Sequence, residues 1–252
     1  ASNSDFDFVE YGPNAYPSLF YNAMVNPLVG LSMRGVIWYQ GENNTNRAKE
    51  YYHLFPAMIN DWRKKWGKDF PFYWVQLANY MDAVEVPSES LWAQVREAQT
   101  QTLSLSHTGQ AVIIDIGEAK DIHPKNKQEV GRRLALHALH NDYGFSDVVC
   151  ESPMPKTVRR VQDKIAVQFD NVADGLIVKN KYGYLMSFAV AGNDGVYKWV
   201  QAKVAGKDRV VLSCPDVIDP VSVRYAWGDN PDDANLYNSV GLPATPFEIK
   251  IE

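Results

Sequence analysis

The chain has 252 residues, 46% of them hydrophobic and 22% charged, and a formal net charge of −5. This is an ordinary globular composition, long enough to bury a sizeable core, which excludes disorder and collagen-like structure. No apolar run is long enough to span a membrane, and no half of the chain gathers the cations that a nucleic-acid footprint needs, so neither is expected as a partner.

The chain begins Ala1-Ser2-Asn3-Ser4-Asp5, polar and acidic, unlike a signal peptide. Residues 34–40 (RGVIWYQ) are the first apolar run, followed by 70–77 (FPFYWVQL) and 111–117 (AVIIDIG). Their β-branched and aromatic content predicts strands, and their near-continuous apolarity predicts burial on both faces, as in a parallel sheet. Helical periods lie between and after them: Tyr51, Phe55, Met58, Trp62 and Trp66, then Leu91, Val95, Ala98 and Thr102, then Val130, Leu134 and Ala138. Pro56 either opens a second helical segment or kinks a continuous helix. Strand and helix in alternation predict βαβ units.

From about residue 151 the texture changes, with Pro153 and Pro155 marking a boundary. Short strands are predicted at 165–169, 176–179, 185–190, 197–204, 209–213 and 221–227. Asn193-Asp194-Gly195 and Gly206-Lys207-Asp208 supply hairpin turns. The organisation predicted is an α/β domain over 1–150 and a sandwich-like all-β region over 151–252.

Two loops after predicted strands carry the polar groups, where ligands of open α/β sheets bind. The first is Gln40-Gly41-Glu42-Asn43-Asn44, in which Gly41 permits a tight turn and a carboxamide can donate N–H bonds to a developing oxyanion. The same residues also suit a polar loop that caps the next helix. The second runs from Asp115-Ile116-Gly117-Glu118 to Asp121-Ile122-His123-Pro124. Of the five histidines, His53, His107, His137 and His140 read as surface or structural, whereas His123 follows a carboxylate in a loop. An imidazole oriented by a carboxylate is the general-base half of a nucleophilic triad. No metal-ligand spacing and no phosphate-binding glycine motif is present, so no metal or other cofactor is expected. Cys150 and Cys214 permit one disulfide at most and read as buried thiols. The seven tryptophans read chiefly as core.

Together these segments resemble one family. The run Pro17-Ser18-Leu19-Phe20-Tyr21-Asn22-Ala23-Met24, then Arg34 through Asn44, then Asp61-Trp62-Arg63, Arg96-Glu97-Ala98-Gln99 and Asp121 through Lys127 with Gly131-Arg132-Arg133-Leu134, look in this order like the sialate O-acetylesterases. Arg224-Tyr225-Ala226-Trp227, Asn235-Leu236-Tyr237-Asn238 and Gly241 through Phe247 complete a match that starts at Tyr11. The resemblance implies the SGNH-hydrolase (flavodoxin-like) fold, three α/β/α layers with a parallel sheet, and removal of O-acetyl groups from sialic acid or related sugars by a Ser-His-Asp mechanism. It implies His123 as base and Asp121 as its orienting carboxylate. The Asp-x-His spacing is one residue shorter than that of the wider superfamily, so Asp115 or Glu118 stands as an alternative carboxylate. Gln40 falls in the block that helps form the oxyanion hole, Glu42 and Asn44 shape that loop as substrate neighbours, and Arg96 and Gln99 are contacts of substrate or of its surroundings. Asn43 stands where the family usually has Ser. The sequon Asn43-Asn44-Thr45 falls inside the active loop and reads as accidental. The family's Gly-Asp-Ser or Gly-Gln-Ser-Asn-Met nucleophile block is not found. The chain therefore reads as a C-terminal half, with the serine upstream or on a partner chain, and is expected to lack esterase activity alone; the alternative is a carbohydrate-binding relative that has lost the nucleophile. Family habit implies a secreted, periplasmic or lysosomal setting.

Overall fold

The computed structural model describes Tyr16 and residues 18–252. The polar start of the chain, and the Tyr11 and Pro17 that open the family resemblance, lie outside them. Three strands, β1 (Val36–Trp38), β2 (Phe72–Val75) and β3 (Thr108–Ala111), form a parallel sheet in that order, with Val36 opposite Phe72 and Phe72 opposite Thr108. Three helices accompany them: α1 (Ala48–Trp66), α2 (Leu91–Gln101) and α3 (Lys127–Asp142). The helix α1 runs through Pro56 and stops at Gly67, whose left-handed φ of 62° closes it.

β2 is the centre, buried along its whole length. Its period of two sorts the core. Phe72 and Trp74 face α1 and α2, packing with Tyr51, Phe55, Ile59 and Val95. Tyr73 and Val75 face α3, packing with Ile113, Val130 and Leu134. The result is the expected stack of three layers. Phe55 meets Trp74 edge-on, with ring centroids 5.2 Å apart, a geometry worth about 0.5–1.5 kcal/mol beyond area burial. At the sheet's margin Val36 and Trp38 pack toward α1, whereas Ile37 points to the α3 side and is 70% exposed.

The ladders are shorter than the apolar runs that announce them. The run at 111–117 is predicted as a strand, yet the ladder occupies Thr108–Ala111 and the chain leaves it at the run's start. Val112 and Ile114 then enter the core of the β region while Ile113 enters the α3 core. Their apolarity reports burial between layers, which is not the same as strand pairing.

The β region has ten strands: β4 (Met154–Val161), β5 (Lys164–Asp170), β6 (Leu176–Val178), β7 (Phe188–Ala191), β8 (Tyr197–Trp199), β9 (Gln201–Val204), β10 (Arg209–Ser213), β11 (Ser222–Tyr225), β12 (Leu236–Asn238) and β13 (Phe247–Lys250). The antiparallel sheets β4-β5-β10-β9 and β13-β11-β7-β8 enclose one core that includes Val158, Val167, Phe169, Leu212, Phe188, Val223, Tyr225 and Phe247, and β6 pairs with β12. One prediction is corrected here: the stretch 197–204 is two strands, because the chain changes sheets at Val200. β4 is not among the predicted strands, and Pro155 lies within it, at a register shift between Pro155 and Thr157. Its missing N–H is tolerated because β4 is an edge strand. Gly195 and Gly206, at φ of 71° and 80°, turn the β7–β8 and β9–β10 hairpins as predicted.

Arg96 ties the two regions together. It is 0% exposed, and its guanidinium donates to the carbonyls of Leu77, Ala78, Gly228 and Asp229 at 2.5–2.9 Å. Cys150 and Cys214 are both buried free thiols, and burial pushes the Cys150 thiol up to about 11.

Candidate active site

The chain leaving β1 makes its tight turn at Gly41, at φ 149°, where a Cβ would stand 3.3 Å from both Gln99 and Leu77. A short helical turn, Glu42–Arg47, follows and leads into α1. Within this turn the Gln40 carboxamide is held from both ends. Its Oε1 accepts the Tyr51 hydroxyl at 3.1 Å and its Nε2 donates to Asn44 Oδ1 at 2.7 Å, leaving the second N–H of Nε2 uncommitted. The Gln40 carbonyl accepts from Gln99 Nε2 at 3.3 Å, and Gln99 Oε1 in turn accepts the Leu77 N–H at 3.0 Å. Burial raises the Tyr51 pKa, so its phenol stays protonated and remains a donor.

The second loop starts at Gly117, where a Cβ would lie 2.2 Å from the Asn79 carbonyl oxygen, a distance that only glycine allows. The Gly117 N–H donates to Asn79 Oδ1 at 2.7 Å. Glu118 and Asp121 bridge across the loop, and Pro124 is buried beneath its tip. His123 stands outward, its side chain 86% exposed. Asp121 Oδ1 accepts the His123 backbone N–H at 2.9 Å, an interaction that lowers the carboxyl pKa, and lies 3.6 Å from the imidazole Nδ1. The latter is beyond a hydrogen bond.

The alternative carboxylates are engaged elsewhere. Asp115 forms a two-pronged pair with Arg133, at 2.6 and 2.9 Å, and accepts the Tyr237 hydroxyl at 3.3 Å. Glu118 pairs with Lys125 at 2.9 Å. Of the three, Asp121 lies beside the imidazole.

Both loops line one groove of about 380 Å³: Tyr39, Gln40, Glu42 and Asn43 come from the first, Ile122, His123 and Pro124 from the second, and Lys127 from the start of α3. The two side chains that the sequence singles out are thus brought together. Asn44 stands behind the wall as the support of Gln40. Arg96 does not line the groove: its buried guanidinium spends four of its five N–H groups on backbone carbonyls and braces the fold. Sequence reasoning passed over Tyr39 and Lys127. Tyr39 closes the apolar run and Lys127 opens α3, and the ammonium of Lys127 lies 4.7 Å over the Tyr39 ring. The Tyr39 hydroxyl is buried without a partner among the described residues. None of the described residues that line the groove is Ser, Thr or Cys. No cluster of ligating side chains suited to a metal occurs among the described residues.

A sheet whose following loops gather a carboxamide and a carboxylate-flanked imidazole has the form of a hydrolase, and comparison with known proteins names the family. Residues 10–140 match the family described as carbohydrate esterase, sialic acid-specific acetylesterase, and the chain belongs to it. It is 30% identical to the sialate O-acetylesterase of Rattus norvegicus, over 97% of this chain and 50% of that protein. Against the Homo sapiens sialate O-acetylesterase the identity is also 30%, over 94% of this chain and 49% of that protein. The crystal structure of a carbohydrate acetylesterase from Xanthomonas citri is 44% identical and superposes with a TM-score of 0.88, over 94% of this chain and 55% of that one. The chain thus spans about half the length of the curated relatives it matches.

Proposed function

We propose that this chain carries the general base and part of the oxyanion hole of a serine carbohydrate esterase that removes O-acetyl groups from sialic acid or a related acetylated sugar. The observation that supports this reading is the shared groove: Gln40 and His123 both line a space the size of a small ligand. In this reading a serine hydroxyl from a segment upstream of this chain, on the same polypeptide or on a partner chain, attacks the acetyl carbonyl. His123 Nε2 takes the hydroxyl proton, and Asp121 turns from the backbone N–H toward Nδ1 to stabilise the imidazolium. The free N–H of Gln40 Nε2 receives the oxyanion. Collapse of the tetrahedral adduct expels the sugar oxygen, which takes the proton from His123, and water then releases acetate from the acyl-serine by the same route. Glu42 and Asn43, on the groove wall, contact the sugar. The setting in this reading is secreted, periplasmic or lysosomal, in keeping with the family.

A serine-reactive organophosphonate tests the assignment. A longer polypeptide that includes the product of the preceding coding sequence is expected to be labelled at one serine outside this chain and to hydrolyse an acetyl ester; the 252-residue chain alone is expected to do neither. Hydrolysis by this chain alone overturns the division of labour. Absence of both label and hydrolysis from the longer polypeptide favours a binding protein that has lost its nucleophile.

A further inference from the structure

A second cavity, of about 320 Å³, opens between the segment 83–85, the loop before β7, Trp199 at the end of β8 and the segment 226–233. Its walls are chemically distinctive. Trp199 is 42% exposed, and its indole N–H donates to the Glu85 carbonyl at 2.9 Å, which pins the ring at the rim. Trp227 is only 6% exposed, and its indole N–H has no partner among the described residues. Three carboxylates, Glu85, Asp232 and Asp233, line the cavity, and no Lys, Arg or His among the described residues does. Asn230, also in the wall, accepts a hydrogen bond from the Asn79 carboxamide at 2.9 Å, and the same carboxamide accepts the Gly117 N–H. The cavity wall and the root of the His123 loop therefore share one side chain.

We infer that this cavity is a subsite for an uncharged sugar unit of a glycan, separate from the unit that loses its acetyl group. An indole at a rim offers a flat apolar surface to the C–H face of a pyranose, and carboxylates accept from its hydroxyls. An anionic sugar, such as a sialic acid, would meet three carboxylates and no counter-charge. The inference rests on the esterase reading only for the carbohydrate class of the ligand.

Titration calorimetry on the 252-residue chain with unacetylated xylohexaose and cellohexaose decides it, and needs no catalytic activity. Saturable binding of at least one hexaose is expected, weakened about tenfold or more in Trp199→Ala and unchanged in His123→Ala. The milder Trp199→Phe is expected to retain part of the binding, and a melting curve for each variant verifies its fold. Sialyllactose is expected to bind about tenfold more weakly than the better hexaose. No saturable binding of either hexaose overturns the subsite, as does binding lost in His123→Ala and kept in Trp199→Ala, or sialyllactose binding as tightly as the hexaoses. None of these outcomes touches the organophosphonate result, so failure here leaves the esterase reading standing.

Discussion

Gln40 matters through the atoms that hold it. A carboxamide can offer either end to a ligand, and the contacts decide which: Tyr51 occupies Oε1 with a donor and Asn44 takes one N–H of Nε2, so the second N–H is what remains to offer. In the complete enzyme, Gln40→Ala is expected to lower kcat about 10²–10³-fold, the usual loss for one oxyanion donor, with an unchanged melting temperature. His123→Ala is expected to abolish turnover, and steady-state kinetics on acetyl-ester substrates checks both. Tyr51→Phe is the subtler test of the same arrangement. It removes one hydroxyl and leaves the ring, which stacks on Phe55 at 5.2 Å. A fall in kcat of roughly tenfold with KM nearly constant is expected, because only transition-state stabilisation is lost. The carboxamide and the imidazole were legible in the sequence because each follows an apolar run and sits in a short polar motif. The role of Arg96 was not. A guanidinium offers the same donors to a bound anion and to a ring of backbone carbonyls, and only the fold says which it meets.

The elements show where a pattern of side chains ceases to specify backbone pairing. All three helices lie where their apolar periods place them, since a helix needs only its own backbone for hydrogen bonds. The strands of the parallel sheet are each shorter than their apolar runs, since a ladder also needs a partner in register. Val112 and Ile114 illustrate the gap, being apolar, buried and unpaired by any ladder. The junction of α2 with the β region is another feature no local pattern announces. Arg96→Leu would strand the carbonyls of Leu77 and Gly228, whereas Ala78 keeps the Trp92 indole N–H and Asp229 the Tyr80 backbone N–H. Each buried polar group so stranded costs about 1–3 kcal/mol. A loss of about 3 kcal/mol or more is expected by urea denaturation, with the transition split if the α/β layers and the β region then unfold separately.

For the molecule as a whole, acid is expected to act through His137. Its side chain is 3% exposed, bonds the Gln110 carbonyl at 3.0 Å and stacks on Tyr73, and burial holds the imidazole pKa down at about 4 from an ordinary 6.5. The unfolded chain therefore binds the extra proton first. This contribution to stability is complete above pH 6.5 and is lost as pH falls from there toward 4. The urea midpoint of the 252-residue chain is expected to drop over that window by the equivalent of up to about 3 kcal/mol, and the drop is expected to shrink in His137→Gln. The parallel α/β layers and the antiparallel sheets were legible at this scale because alternating strands and helices read differently from a run of short strands. The sheet partners within the sandwich were not, since ten short strands admit many pairings.

The outward-facing isoleucine of β1 carries a consequence for handling the protein. α1 and α2 roof one side of the sheet across its width, while on the opposite side α3 shelters β2 and β3 but leaves Ile37 in water. Among the described residues the outer rim of β1 also has no neighbouring strand. A bare aliphatic side chain beside unpaired main-chain groups is a raw selvage on which more sheet can be woven. A solution of this polypeptide is thus poised either to accept a complementary strand and helix along that rim or, lacking them, to knit copies of itself together as concentration rises.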